Sequence, residues 1–312
     1  MNNIIKIYLA SFVVASGPWL SPVLADESWQ SEGAEQYQSG IQDREIGKSL
    51  LARHTNQNNL WIKPGTDIIS CDDYYTAKTD QGILTNNVWN KHAAKNDDWR
   101  QCLLKKTVDG KVEYGWSWSW PFGRKVIYAQ PQIKIGSSPW QPEPKFDNAF
   151  PLKIADLKRL EISHHTDVST NGDHNTALTM WLTSKKYTGA KPNKSVIAAE
   201  IMIWTYFTDG HFNPAGQKHS EIEIKGSTWE VWYQQDWNDK SGVNDNRWVN
   251  VSFRAKTPSL SVKVPALELL NYAVQKRLIA DSLFIADVEL GNEIMNGAGI
   301  TWVKDFRVLY DK

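Results

Sequence analysis

The chain has 312 residues, with 35 Lys plus Arg against 35 Asp plus Glu, 16 tryptophans and two cysteines. A formal net charge of zero excludes a global field that would draw it to nucleic acid or an anionic membrane, so the expected partner is neutral. Tryptophan is the quantity out of proportion, and exposed indoles suit sugar rings, whose C–H faces stack on flat apolar surface.

Residues 1–25 read as a signal peptide. Lys6 precedes an apolar stretch from Ile7 to Val14, and Val23-Leu24-Ala25 places small residues for cleavage before Asp26. Gly17, Pro18 and Pro22 interrupt the apolar run well short of the roughly 20 residues a membrane span needs. The mature chain is therefore expected outside the cytoplasm, secreted or periplasmic. Residues 26–66 form a polar extension rich in Gln, Ser, Glu and Asn, with a short helix predicted over Asp43–Arg53. Residues 67–312 form the main domain. An exported chain with an even cysteine pair is expected to join Cys71 to Cys102. None of the seven histidines stands in a spacing that reads as a zinc or iron site, so neither metal nor cofactor is expected.

Short apolar runs then alternate with turn clusters such as Asp80-Gln81-Gly82, Pro121-Phe122-Gly123, Thr170-Asn171-Gly172-Asp173 and Asn238–Asn246. That spacing predicts an all-β fold, an antiparallel sandwich or β-jelly roll. Tyr114, Trp116, Trp118 and Trp120 alternate with Gly115, Ser117 and Ser119, so one strand face carries four aromatics that either line a sugar cleft or fill the core. In Ser195–Phe207, Ile197, Ala199, Ile201 and Ile203 make an apolar core face. Glu200, Met202 and Trp204 share the other face. A carboxylate in a strand this apolar is partly desolvated and sensitive to its neighbours. Glu221 and Glu223 read as an outward, solvated face, and Glu230 and Glu289 as further bystanders. Asn193-Lys194-Ser195 and Asn250-Val251-Ser252 are glycosylation sequons if the host glycosylates. Pro265 opens the one predicted helix, with Leu267, Leu270, Val274 and Leu278 on a stripe expected to pack on the outside of a sheet. Near the C-terminus Phe284, Ala286, Val288 and Leu290 face the core, while Asp287, Glu289, Gly291 and Glu293 face away from it.

Four ordered segments resemble glycoside hydrolase family 12, the compact jelly-roll endoglucanases and xyloglucanases. They are Cys71-Asp-Asp-Tyr74 with Thr85-Asn-Asn-Val-Trp89 and Gln101-Cys102, then Trp116-Ser-Trp-Ser-Trp120, then Glu200-Ile-Met-Ile-Trp204, and finally Glu289-Leu-Gly-Asn-Glu293-Ile-Met-Asn-Gly297. The resemblance implies Glu200 as nucleophile and Glu293 as general acid/base. It places Asn87, Trp89, Tyr114, Trp118, Trp120 and Met202 among the sugar-binding positions. It also puts Thr179 where the family has an aspartate that hydrogen-bonds the nucleophile. The implied activity is that of an endo-β-1,4-glucanase acting as a monomer on β-glucan with retention of configuration, for which two carboxyls about 5–5.5 Å apart are needed. A carbohydrate-binding jelly roll without catalysis, and a xylanase of the related two-glutamate family, are the competing expectations.

Overall fold

The computed structural model describes residues 62–140, 146–147, 149–187, 192–239 and 245–312. The expected signal peptide, the helix expected at Asp43–Arg53 and nearly all of the expected polar extension lie outside the described residues. Among the described residues seventeen strands run in chain order as β1 Thr66–Ser70, β2 Thr76–Lys78, β3 Ile83–Thr85, β4 Arg100–Val108, β5 Lys111–Trp120, β6 Gln132–Gly136, β7 Leu152–Lys153, β8 Arg159–Thr170 and β9 Asn175–Thr183. They continue as β10 Ile197–Phe207, β11 Gln217–Ile224, β12 Ser227–Trp237, β13 Trp248–Ala255, β14 Ser261–Val264, β15 Phe284–Ile285, β16 Asp287–Gly291 and β17 Gly297–Asp311, and the described residues also form an α-helix, α1, at Ala266–Gln275.

Two sheets form among the described residues. The first has the order β1-β4-β5-β17-β8-β14. The second runs β11-β12-β13-β10-β9-β16-β6-β3-β2, with β15 and β7 appended beside β9. Pairing is antiparallel except between β10 and β13, which run parallel, so the expectation of purely antiparallel sheets is corrected at that one seam. Two-residue loops at Asp109-Gly110 and Lys225-Gly226, all four residues at positive φ, close the β4–β5 and β11–β12 hairpins. Positive φ at both positions matches the right-handed twist of the flanking strands.

Strand alternation sorts the side chains. From the second sheet Leu178, Met180 and Leu182 of β9, Ala199, Ile201 and Ile203 of β10, Val251 and Phe253 of β13, and Val288 and Leu290 of β16 enter one contiguous core. From the first sheet Trp116, Trp118, Trp120, Leu160 and Ile162 meet them there. The helix begins right after Pro265, as its sequence predicts, but does not ride on the outside of a sheet. Ala266, Leu267, Leu269, Leu270 and Ala273 belong to the central cluster, and Tyr272 Oη shares a hydrogen bond of 2.7 Å with Ser220 of β11. A helix with that much apolar surface is better covered where it reaches both layers. The Cys71–Cys102 disulfide joins the segment after β1 to β4. Ile62 packs with that pair and Leu104, Ile300 and Trp302 in a second, smaller cluster.

Candidate active site

The face of β10 turned away from the core carries Glu200, Met202 and Trp204, and the register with its neighbours shows what surrounds each. Glu200 stands opposite Trp181 of β9 and Asn250 of β13. Met202 stands opposite Thr179 and Ser252. Glu200 is 7% exposed. Its Oε2 accepts two hydrogen bonds, from Trp248 Nε1 at 2.9 Å and Asn250 Nδ2 at 2.9 Å. Ser252 Oγ in turn donates to Asn250 Oδ1 at 2.9 Å, which fixes the amide so that its NH2 points at the carboxylate. Asn250 and Ser252 are buried, so that sequon is closed to glycosylation and serves the carboxylate instead.

Glu293 lies two residues beyond β16, on the far side of β9. The strands carrying the two glutamates are not direct neighbours: β9 runs between them. Glu293 is 9% exposed, and Asn175, the first residue of β9, grips it three times. Asn175 Nδ2 donates to Glu293 Oε2, Asn175 Oδ1 accepts from the Glu293 amide at 2.9 Å, and the Asn175 amide donates to the Glu293 carbonyl at 3.1 Å. The preceding Asn292 is fully engaged. It accepts from Trp116 Nε1 at 2.8 Å and Thr301 Oγ1 at 2.8 Å, and donates to the Asn175 carbonyl at 2.8 Å and to Thr176 Oγ1 at 3.0 Å. Buried polar groups satisfied this completely rigidify what they hold.

Burial pushes both carboxyls above the ordinary range, Glu200 to about 8, with the Glu293 charge adding to the rise, and Glu293 to about 7. Mutual repulsion opposes removing both protons, so the pair titrates as a unit that holds one proton near neutrality. Burial, with repulsion from Glu293 and Glu289 added to it, lifts the Glu200 carboxyl further than that of Glu293. Hydrogen bonding argues for the opposite seat of the charge, since Glu200 has two N–H donors on one oxygen and Glu293 Oε2 has one. Donors favour the ionised form wherever the shared proton begins, so the charge settles on Glu200.

The remaining sequence-predicted positions divide. Met202 lines the same face as Glu200, beside Trp204. Asn87 and Trp89 follow β3 in a loop and are partly exposed. That loop is tied to the lead into β6 by the Gln130 amide, which donates to the Asn87 carbonyl at 2.9 Å. The tryptophan strand is a correction. Trp120 is 0% exposed, stacked between Trp99 and Tyr128 at ring distances of 4.4 and 5.0 Å. Its Nε1 donates to Gln101 Oε1 at 3.1 Å. Trp118 is buried in the same core and Tyr114 packs partly buried against it; Gly115, Ser117 and Ser119 on the other face are too small to make a core, so the aromatics must. Thr179 stands on β9 opposite Met202, on the face that carries Glu200. Its Oγ1 accepts from Gln130 Nε2 at 3.1 Å, while Glu200 is held by Trp248 and Asn250.

Sequence reasoning missed Trp248, Asn250, Asn175 and Asn292. The first two stand two apart on one strand and so share a face, a parity signal of the same kind that singled out Glu200. It also missed an aromatic corner beside Glu200, where Trp140, Trp181 and Trp248 meet edge-on at 5.1–5.5 Å. Trp140 and Trp181 are partly exposed, as a sugar platform requires. At the Glu293 end, burial holds the imidazoles of His174 and His211 neutral, with pKa values down to about 4. Among the described residues no cluster of three or more His, Cys, Asp or Glu is placed to hold a metal ion, and no helix is long and apolar enough to cross a membrane.

Residues 53–308 match the family model described as Glycosyl hydrolase family 12. Endoglucanase S of Pectobacterium parmentieri is 26% identical over 230 residues, covering 72% of this chain and 80% of that protein. Xyloglucan-specific endo-beta-1,4-glucanase A of Emericella nidulans is 22% identical over 74% of this chain and 86% of its own length. Among solved structures, a family 12 xyloglucanase from Bacillus licheniformis superposes with a TM-score of 0.66 at 22% identity, over 78% of this chain and 99% of that one.

Proposed function

This chain belongs to glycosyl hydrolase family 12, and on that premise we propose that it is an exported endo-β-1,4-glucanase that cleaves β-glucan by double displacement, with Glu200 as nucleophile and Glu293 as general acid/base. The observation that carries the reading is the pair itself: two buried carboxyls, each with its own N–H donors, set on one sheet face so that the charge of Glu293 is felt at Glu200.

Ionised Glu200 attacks the anomeric carbon through Oε1, since both donors occupy Oε2. Glu293 gives its proton to the departing glycosidic oxygen, and a covalent glycosyl-enzyme forms. Esterification removes the Glu200 charge, so the Glu293 pKa falls and its carboxylate takes a proton from the water that hydrolyses the ester. The scheme needs a carboxyl separation of about 5–5.5 Å. Met202 beside Glu200, the Trp140–Trp181 corner, and Asn87 with Trp89 hold neighbouring sugars, whose binding distorts the ring being cleaved. The Cys71–Cys102 disulfide supports an oxidising destination, with residues 1–25 as export signal, 26–66 as an extension and 67–312 as the catalytic domain.

Proton NMR of the first product released from a soluble β-glucan tests the chemistry. A β-anomer that later mutarotates is expected, and an initial α-anomer excludes the scheme. A reducing-sugar panel across carboxymethyl cellulose, mixed-linkage β-glucan, xyloglucan and xylan assigns the substrate; release from xylan alone would refute the glucanase reading.

A further inference from the structure

Two charges on the site face take no part in the double displacement. Lys134 of β6 and Glu289 of β16 are 2% and 3% exposed. They stand opposite one another in register, with Nζ 3.8 Å from Oε1. Thr179 follows opposite Glu289 and Met202 opposite Thr179, so Glu289 shares the face of Glu200, two strands across and one pleat along. Burying two charges beneath a site is costly even when they are paired, because desolvation offsets much of their attraction. An apolar pair would hold these strands together as well.

The third member of the cluster shows which group carries the negative charge. Asp287 shares the face of Glu289, is fully buried, and accepts a hydrogen bond from the Trp181 amide at 3.2 Å. Desolvation, followed by the charge on Glu289, holds its carboxyl well above the usual range. Asp287 therefore keeps its proton, which leaves Glu289, paired with Lys134, as the anion of the cluster. Toward Glu200 the intervening side chains are Thr179 and Met202, both uncharged. The groups acting on Glu200 are Trp248 and Asn250 as donors, and Glu293 and Glu289 as like charges.

We propose that Glu289, anchored by Lys134, is a positioning residue whose fixed negative charge sets the pH at which Glu200 gives up its proton, and with it the acidic limit of activity. This rests on Glu200 being the nucleophile. A like charge roughly 8–10 Å away, as two strand spacings less side-chain reach allow, is worth about one pH unit at an effective dielectric near 20.

The test is the pH dependence of kcat/KM on a soluble β-glucan, measured beside the pH dependence of covalent inactivation by an epoxyalkyl cellobioside. Glu289→Gln is expected to move the acidic midpoint of both down by about one unit, and Lys134→Gln to move it up. A pair that only braced the sheet would lower activity or melting temperature and leave the midpoint in place. A Glu289→Gln midpoint at or above the wild-type value overturns the proposal. If that variant does not fold, Lys134→Gln decides alone, and a folded Lys134→Gln protein with an unmoved midpoint overturns it. Retained turnover in Glu200→Gln refutes the nucleophile assignment itself, whereas an unmoved midpoint refutes only the role of Glu289.

Discussion

Strands β5 and β10 carry the same kind of alternation, yet their distinctive faces end on opposite sides of a sheet. In β10 the alternative to the Glu200–Met202–Trp204 face is Ala199, Ile201 and Ile203, and that aliphatic set takes the core. In β5 the alternative to the tryptophan face is Gly115, Ser117 and Ser119, which bury too little apolar area to compete, so the indoles go inward. What decides the fate of a strand face is therefore the face behind it. A row of aromatics marks a sugar platform only when something more apolar backs it.

The largest effect expected on the β10 side is loss of chemistry. Glu200→Gln and Glu293→Gln each lower kcat by roughly 10³-fold or more while circular dichroism stays unchanged; turnover within tenfold of wild type would break the contrast between the two faces. On the β5 side the matching experiment is Trp120→Ala, which costs roughly 3–5 kcal/mol of stability, seen as a fall in urea midpoint. Trp120→Ala that melts normally but raises KM would return Trp120 to the cleft. A smaller effect is expected for Trp248→Phe, which keeps the ring and removes one donor to the Glu200 anion. The loss of about 1.5–3 kcal/mol appears as a roughly 10–100-fold fall in kcat/KM, and the acidic limb of the profile moves to higher pH.

The smallest expected change is a gain in stability. Glu200 and Glu293 have folded-state pKa values raised above the ordinary 4.5, so the fold binds their protons more tightly than the unfolded chain does. Their contribution is fully present below about pH 4.5 and is lost as pH rises toward 7 and 8. Glu200→Gln removes the charge that the fold resists, and is expected to gain on the order of 2 kcal/mol at pH 8, roughly 5 °C in Tm, converging on wild type at pH 4. Curves that differ equally at both pH values would show that packing, not charge, separates the variants.

The same contrast explains what could be read in the sequence. Parity in β10 and β16 was legible because each has one wholly aliphatic face, and Pro265 announced the helix. Pairing order was not legible: β9 comes between the glutamate strands and β13 joins β10 in parallel, and both depend on contacts distant in sequence. Glu289 was set aside because most carboxylates are solvated, although it shares parity with Glu293 and Lys134 stands between Ile133 and Ile135 in a fully buried strand. Asn250 was misread because a sequon and a buried amide look alike until the strand is placed. Strand parity leaves cleft and core both open for Trp118 and Trp120, and the family resemblance tips them to the cleft, whereas the small residues behind them send them to the core.

Asn292 has a consequence of its own. Its amide takes a bond from Trp116 in the first sheet and gives others to Asn175 and Thr176 in the second, so the neighbouring Glu293 is moored to both layers by one side chain. Heating that lets the layers slip will silence the enzyme before the strands come apart, and the temperature of half-inactivation will fall below the melting point by a margin that Asn292→Ala widens.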